Sequence, residues 1–250
     1  MPIDRTKPLV QVKDLKKYFP IRGNIFAPVK GQIHAVDGLS FEIMPGKSMG
    51  LVGESGCGKT TTGKLLVRLH EPTDGEILIQ DLNGNLENIA HRKGKQLKMF
   101  RRNVQMIFQD PYESLNPRHT IFDIVSEPLA VQNIGTLAER QERVADLLNV
   151  VGLTPAHTFM FRFPHELSGG QRQRVAIARA LVIEPNFIVA DEPTSMLDVS
   201  IRIGVMQLME DLADRFGVSY LYITHDLAVA RYMTDHIGVM YLGKMVERAE

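Results

Sequence analysis

Gly53-Glu-Ser-Gly-Cys-Gly-Lys-Thr60 is the stretch on which the fold turns. It satisfies G-x-x-x-x-G-K-[ST]. A short apolar run, Ser48-Met-Gly-Leu-Val52, precedes it and a helix-like Lys59–Leu69 follows, which is the strand–turn–helix setting the motif requires. The glycines let backbone N–H groups curl around phosphates. Lys59 reaches the β- and γ-phosphates of a nucleotide, and the Thr60 hydroxyl is a ligand for Mg²⁺. Glu54, Ser55, Gly56, Cys57, Gly58 and Thr61 complete the lining. A glycine-rich turn matching by chance is the alternative, and the flanking strand and helix argue against it. Cys57 stands at a helix start and is read as reactive but not catalytic.

Working outward, strand patterns alternate with helix patterns. Leu9–Val12, His34–Ile43, Glu76–Gln80, Val104–Phe108, Phe187–Ala190, Val218–Thr224 and His236–Tyr241 read as strands, with residues 20–32 (Pro20, Gly23, Pro28, Gly31) as a turn-rich break. The interval 111–165 changes character. Val144, Leu147, Leu148 and Val151 fall on one helix face, and Thr120–Val131 also suits a helix. A helix from Gln171 to Ile183 follows, then one with Val205, Leu208, Met209, Leu212 and Phe216 on one face. The expected fold is α/β: a phosphate-loop core with a mainly parallel sheet covered on both faces. Residues 1–110 and 166–250 form its two parts, and 111–165 is an inserted helical subdomain.

Composition narrows the function. Of 250 residues, 44% are apolar, enough for a large core, and Lys+Arg equals Asp+Glu at 29 each. The missing basic excess argues against nucleic acid as the main partner. A single cysteine excludes an internal disulfide and a Cys-based zinc site, as a reducing compartment permits. The N-terminus lacks the apolar segment of a signal peptide, and no stretch approaches the ~18–20 apolar residues of a membrane span.

Two further stretches carry chemistry. Phe187-Ile-Val-Ala-Asp191-Glu192 is a buried strand ending in two acids. Asp191 is placed to hold hydrated Mg²⁺, and Glu192 to orient and deprotonate water. Leu167-Ser-Gly-Gly-Gln171 opens a helix, where Ser168, Gly169, Gly170 and Gln171 form a second anion-binding helix start. In isolation that stretch reads as an ordinary capped helix.

Gly53–Thr60, Gln109, Leu167–Gln171, Asp191–Glu192, Asp198 and His225 stand in the order and spacing of ABC-transporter ATPases, and the chain resembles that family from Phe19 to His225. The resemblance implies an antiparallel β subdomain on the N-terminal side and ATP with Mg²⁺ as cofactors. It also implies a second ABC ATPase subunit, identical or homologous, whose phosphate is capped by Ser168–Gln171. Phe19 takes the place of the aromatic that stacks on adenine, with Tyr18 the alternative. Gln109 touches Mg²⁺ and the attacking water, Asp198 reaches across the dimer, and His225 contacts the γ-phosphate. Catalytic roles fall to Glu192, His225, Lys59 and Gln109; metal ligation falls to Thr60, Gln109 and Asp191. Met196 departs from the small residue common at that place in relatives.

Tyr18–Gly23, Gln109–Pro117 and Phe163–Gln171 resemble the oligopeptide/dipeptide importer group, some of whose members take nickel or oligosaccharides. This implies transmembrane permease subunits, a solute-binding protein acting indirectly, and a peripheral place on the cytoplasmic face of the membrane. Tyr112–Leu115 and Ile121–Ile124 are expected as exposed apolar residues gripping the permease. Residues 91–102 carry six Lys/Arg and no acid; a solvated face is preferred to a lipid contact. Relatives continue several dozen residues past the end of this sequence, implying a short member or a piece of a longer chain. A non-transport ABC protein would carry two cassettes or a coiled coil, a degenerate subunit would lack motif residues, and a P-loop kinase or GTPase leaves Leu167–Gln171 unexplained.

Overall fold

The structure is a computed structural model that describes residues 3–22, 29–81 and 84–249. In chain order its elements are β1 (Val10–Arg22), β2 (Val29–Ile43), β3 (Ser48–Gly53), α1 (Lys59–Leu66), β4 (Asp74–Gln80), β5 (Leu86–Asn88), α2 (Gly94–Asn103), β6 (Val104–Ile107) and α3 (Pro111–Ser114). Then come α4 (Ile121–Gln132), α5 (Leu137–Val150), α6 (Ala156–Met160), a 3-10 turn (Pro164–Glu166), α7 (Gly169–Leu181), β7 (Phe187–Asp191) and α8 (Val199–Phe216). β8 (Ser219–Thr224), α9 (Leu227–Met233), β9 (His236–Tyr241) and β10 (Lys244–Ala249) complete the chain. It divides into two compact units, Met1–Leu97 with Ser219–Glu250, and Lys98–Val218.

The first unit holds an antiparallel sheet in the order β2-β1-β4-β5. Val10, Val12 and Leu15 of β1 are all buried although the last interval is three residues. A bulge at Asp14, whose φ is 45°, absorbs the extra residue and returns Leu15 to the core. Strand pairing also corrects the turn-rich reading of residues 20–32. β1 continues through Pro20 to Arg22, and Gly31 lies inside β2; Gly23 and Pro28 fall outside the described residues. β4 pairs with β1 only as far as Lys16↔Asp74, so Pro20 lies beyond the doubly paired stretch, where a residue without an N–H is tolerated.

In the same unit β3 runs parallel to both β8 and β9, and β10 closes antiparallel on β9. All six residues of β8 are buried and so are the middle four of β3, the signature of strands covered on both faces. α1 and α9 pack against these strands. β3 therefore delivers the glycine-rich loop from a rigid base.

The second unit pairs β6 with β7 in parallel, Val104↔Phe187 to Ile107↔Ala190. Helices α3, α4, α5 and α8 pack on α7. α4 and α5 open with reciprocal capping boxes, Thr120 with Asp123 and Thr136 with Glu139, which explains their sharp starts. Leu115, Ile121 and Ile124 are at most 2% exposed and belong to the core of this unit, which corrects the expectation of an exposed apolar groove. α4 lays Ile121, Ile124, Val125 and Leu129 on one inward face, leaving Tyr112 as the exposed apolar side chain of that set. In α8 the inward face is Val205, Met206, Met209 and Leu212; Leu208 and Phe216 are half-buried. The basic run 91–102 contains most of α2, whose single buried residue, Phe100, is too sparse an anchor to show as periodicity.

Candidate functional site

The loop between β3 and α1 is shaped by close backbone approach. A Cβ on Gly53 would collide with the Met240 carbonyl oxygen, and one on Gly58 with that of Ala35. Gly58 also has a φ of 108°, so it is glycine for two reasons. As the N-cap of α1 it supplies no side-chain cap, and the helix presents its first amides to whatever lies in the loop. Lys59 is 5% exposed and donates from Nζ to the carbonyls of Gly53 (2.6 Å) and Glu54 (2.8 Å). Its charge is thus folded over the loop. Cys57 is buried, with Sγ 3.7 Å from Lys59 Nζ. Glu54, Ser55 and Gly56 are exposed; Thr60 and Thr61 are half-buried.

Strand register brings His225 to the same end. Val52 pairs with Thr224, so His225 lies across from Gly53, one residue beyond β8, and is exposed. Of the two candidate aromatics, Tyr18 is engaged. It stacks on His34 at 4.0 Å and donates its hydroxyl to Asp37 Oδ1 at 2.6 Å. That bond holds the Asp37 carboxyl below the usual carboxylate range and lifts the Tyr18 phenol above its own. Phe19 is half-buried and meets His70 edge-on at 5.7 Å. Burial lowers the His70 imidazole from its ordinary value, with Lys64 and Lys17 adding to the shift. Sequence reasoning passed over Lys17 and His70. The signal was available for Lys17, because alternation puts residues 17 and 19 on one strand face, and its Nζ is 5.0 Å from the Phe19 ring centroid.

In the second unit, parallel pairing sets Gln109 beside the acidic pair. Gln109 Nε2 donates to Glu192 Oε2 at 3.0 Å, across 83 positions of sequence. Asp191 ends β7 and is 3% exposed; Glu192 is half-buried. Glu192 has a φ of 45°, uncommon for a residue with a Cβ and a form of strain that gathers at functional sites. The Ser195 amide and hydroxyl both donate to the Glu192 carbonyl, at 3.1 and 3.0 Å, and hold that conformation.

Ser168 N-caps α7. Its hydroxyl accepts from the Gln171 amide at 3.3 Å, and the Gln171 side chain accepts from the Ser168 amide at 3.0 Å. Gly170 is buried, and a Cβ there would meet Ile201 of α8 at 2.6 Å. Asp198 is the N-cap residue of α8, is exposed and makes no capping bond, so its carboxylate is not consumed by its own helix. Met196 beside it is exposed.

This arrangement defines a phosphate-loop nucleotide-binding protein, and comparison with known proteins gives its family. Residues 36–195 match the ABC transporter family. The chain is 50% identical to the oligopeptide transport ATP-binding protein AppF of Bacillus subtilis strain 168, covering 96% of this chain and 71% of that one. It is 51% identical to OppF of the same organism (98% and 76% covered). The dipeptide transport ATP-binding protein DppF of Haemophilus influenzae is 45% identical (98% and 73% covered). Among solved structures, the ATP-binding cassette MJ0796, a dimer in a post-hydrolysis state bound to ADP and Pi, superposes with a TM-score of 0.82. It is 30% identical, with 96% of this chain and 98% of that one covered. The chain belongs to the ABC transporter family and is one of its ATP-binding, ATP-hydrolysing subunits.

Proposed function

We propose that this chain is the motor of an importer for di- or oligopeptides, working as one half of an ATP-closed dimer on transmembrane permease subunits. The observation that carries the reading is the bare glycine-capped start of α1 under the folded-over Lys59. The printed names of three relatives at 45–51% identity support the solute class. Among the described residues no helix is long and apolar enough to cross a membrane, in keeping with a subunit that reaches the bilayer through permeases. An importer of nickel or an oligosaccharide is the other reading within the group.

In this reading Lys59 and the loop amides hold the β- and γ-phosphates, and Phe19 receives the adenine. Mg²⁺, when bound, draws charge from the phosphate oxygens. Thr60 in the first unit, and Asp191 and Gln109 in the second, are the residues the reading gives to this ion, each an oxygen donor of the kind it takes when a nucleotide supplies the rest. Glu192 takes a proton from the attacking water, oriented by Gln109, while His225 contacts the γ-phosphate. Ser168, Gly169, Gly170 and Gln171 serve the partner's nucleotide, and Asp198 reaches toward the partner. The chain parts proposed from the sequence, 1–110 and 166–250 around 111–165, give the core its motifs and the insert its grip on the permease.

Glu192→Gln is expected to leave ATP binding intact and slow turnover by about 10²–10⁴-fold. Sedimentation of this variant should give a dimer with Mg²⁺-ATP and a monomer with EDTA; turnover near the parent rate would overturn the role of Glu192. For the solute, deletion of the gene should abolish uptake of a labelled tetrapeptide and spare nickel. The reverse result would move the assignment to nickel.

A further inference from the structure

One side chain ties the start of α7 to the segment that follows Gln109. Arg172 lies at the fourth position of α7 and is 5% exposed. Its guanidinium carbon sits 3.7 Å from the centroid of the Tyr112 ring, and Nη2 donates to the Tyr112 hydroxyl. Nη1 donates to the carbonyls of Pro164, at 3.1 Å, and Leu167, the residues on either side of the turn into Ser168. Among the described residues the buried Nε–H has no partner, so Tyr112, Pro164 and Leu167 carry the satisfaction of this cation.

Tyr112 is in turn fixed to the Gln109 segment. Asp110 caps α3 by accepting from the Tyr112 amide at 2.7 Å, and Gln109 adjoins Asp110 and donates to Glu192. Tyr112 as a residue is 64% exposed, so it contributes little burial to folding. α3 is already held by Leu115, which is 2% exposed, and by Arg179, whose Nη1 donates to the Ser114 carbonyl at 3.0 Å. The stack on Arg172 therefore exceeds what anchoring α3 requires.

We propose that Tyr112 is a positioning residue. Through Arg172 and the Leu167 carbonyl it sets the hydroxyl and amides of Ser168–Gly170 according to the state of Gln109. Nucleotide sensed by one chain then prepares the helix start which that chain offers to its partner, coupling the two sites of a dimer. The inference rests on the reading of Gln109 as the γ-phosphate sensor and of Ser168–Gly170 as the partner's phosphate cap.

The test uses the full chain carrying Glu192→Gln, with ATP-driven association followed by sedimentation and nucleotide affinity by a fluorescent ATP analogue. Adding Tyr112→Leu, which removes ring and hydroxyl, should weaken association about tenfold. Analogue affinity should stay within about twofold, because the β3–α1 loop is untouched. Tyr112→Phe keeps the ring over the guanidinium and should restore most of the association. Equal association in Tyr112→Leu and its parent would overturn the proposal. So would a parallel loss of association, analogue binding and thermal stability, which marks a merely structural role. A Glu192→Gln parent that binds the analogue but never associates with a second copy would exclude the dimer of identical chains, and the inference as stated with it.

Discussion

Two helices in this molecule open on glycines, and they open differently. α1 starts at Gly58, which has no side chain with which to cap, after a loop whose shape depends on glycines pressed against Met240 and Ala35. α7 starts at Ser168, which closes a reciprocal box with Gln171. A helix start leaves several N–H groups without intrahelical partners, and the box at α7 satisfies the Gln171 and Ser168 amides, leaving those of Gly169 and Gly170 outside it. The first start has no such cap. The second is a finished piece of structure that can still offer a hydroxyl and glycine amides outward. The proposed function divides the work along this difference: α1 would grip the nucleotide of its own chain, whereas α7 would receive the partner's phosphate.

The comparison can be broken at either end. Lys59→Ala should weaken ATP binding by roughly 100-fold, the scale for removing one partner of a buried charge contact. Equilibrium binding of the fluorescent analogue reads it, and a near-parent affinity would mean that α1 does not depend on the lysine. A smaller effect separates cap from anion site at α7. Asp caps a helix as well as Ser does, so Ser168→Asp should leave thermal stability within ~0.5 kcal/mol. The added negative charge should nonetheless cut ATP-driven association of the Glu192→Gln chain about tenfold. Unchanged association would reduce α7 to an ordinary capped helix.

The smallest expected effect concerns strain. Glu192→Gly should raise stability by about 1 kcal/mol, because glycine adopts a positive φ without cost, while hydrolysis is lost. A thermal melt and an ATPase assay on the same sample test this. A lower melting temperature would show that the Gln109 bond outweighs the backbone strain.

Much of the site was legible because its chemistry is local. Gly53–Thr60 is a covalent pattern whose backbone geometry follows from residue type, and Ser168-x-x-Gln171 predicts its own capping box. The parallel strands read as short apolar runs because both faces are buried. Leu115, Ile121 and Ile124 were misread because apolar residues in a short window look alike on a groove and in a core; the packing of α4 on α7 separates the two. Pro20 was misread as punctuation because nothing in residues 18–22 tells where β4 stops pairing.

The residue types alone determined the α/β alternation, the phosphate loop, the acidic strand end and the capped helix starts, since each depends on interactions within a few positions. Tertiary structure alone decided that Tyr18 is engaged by His34 and Asp37, that Gln109 reaches Glu192, that Glu192 is strained, and that Arg172 lies on Tyr112. The physical reason is range. Capping and periodicity are written in neighbours, but a hydrogen bond across 83 residues depends on strand register, which the whole packed unit selects at once.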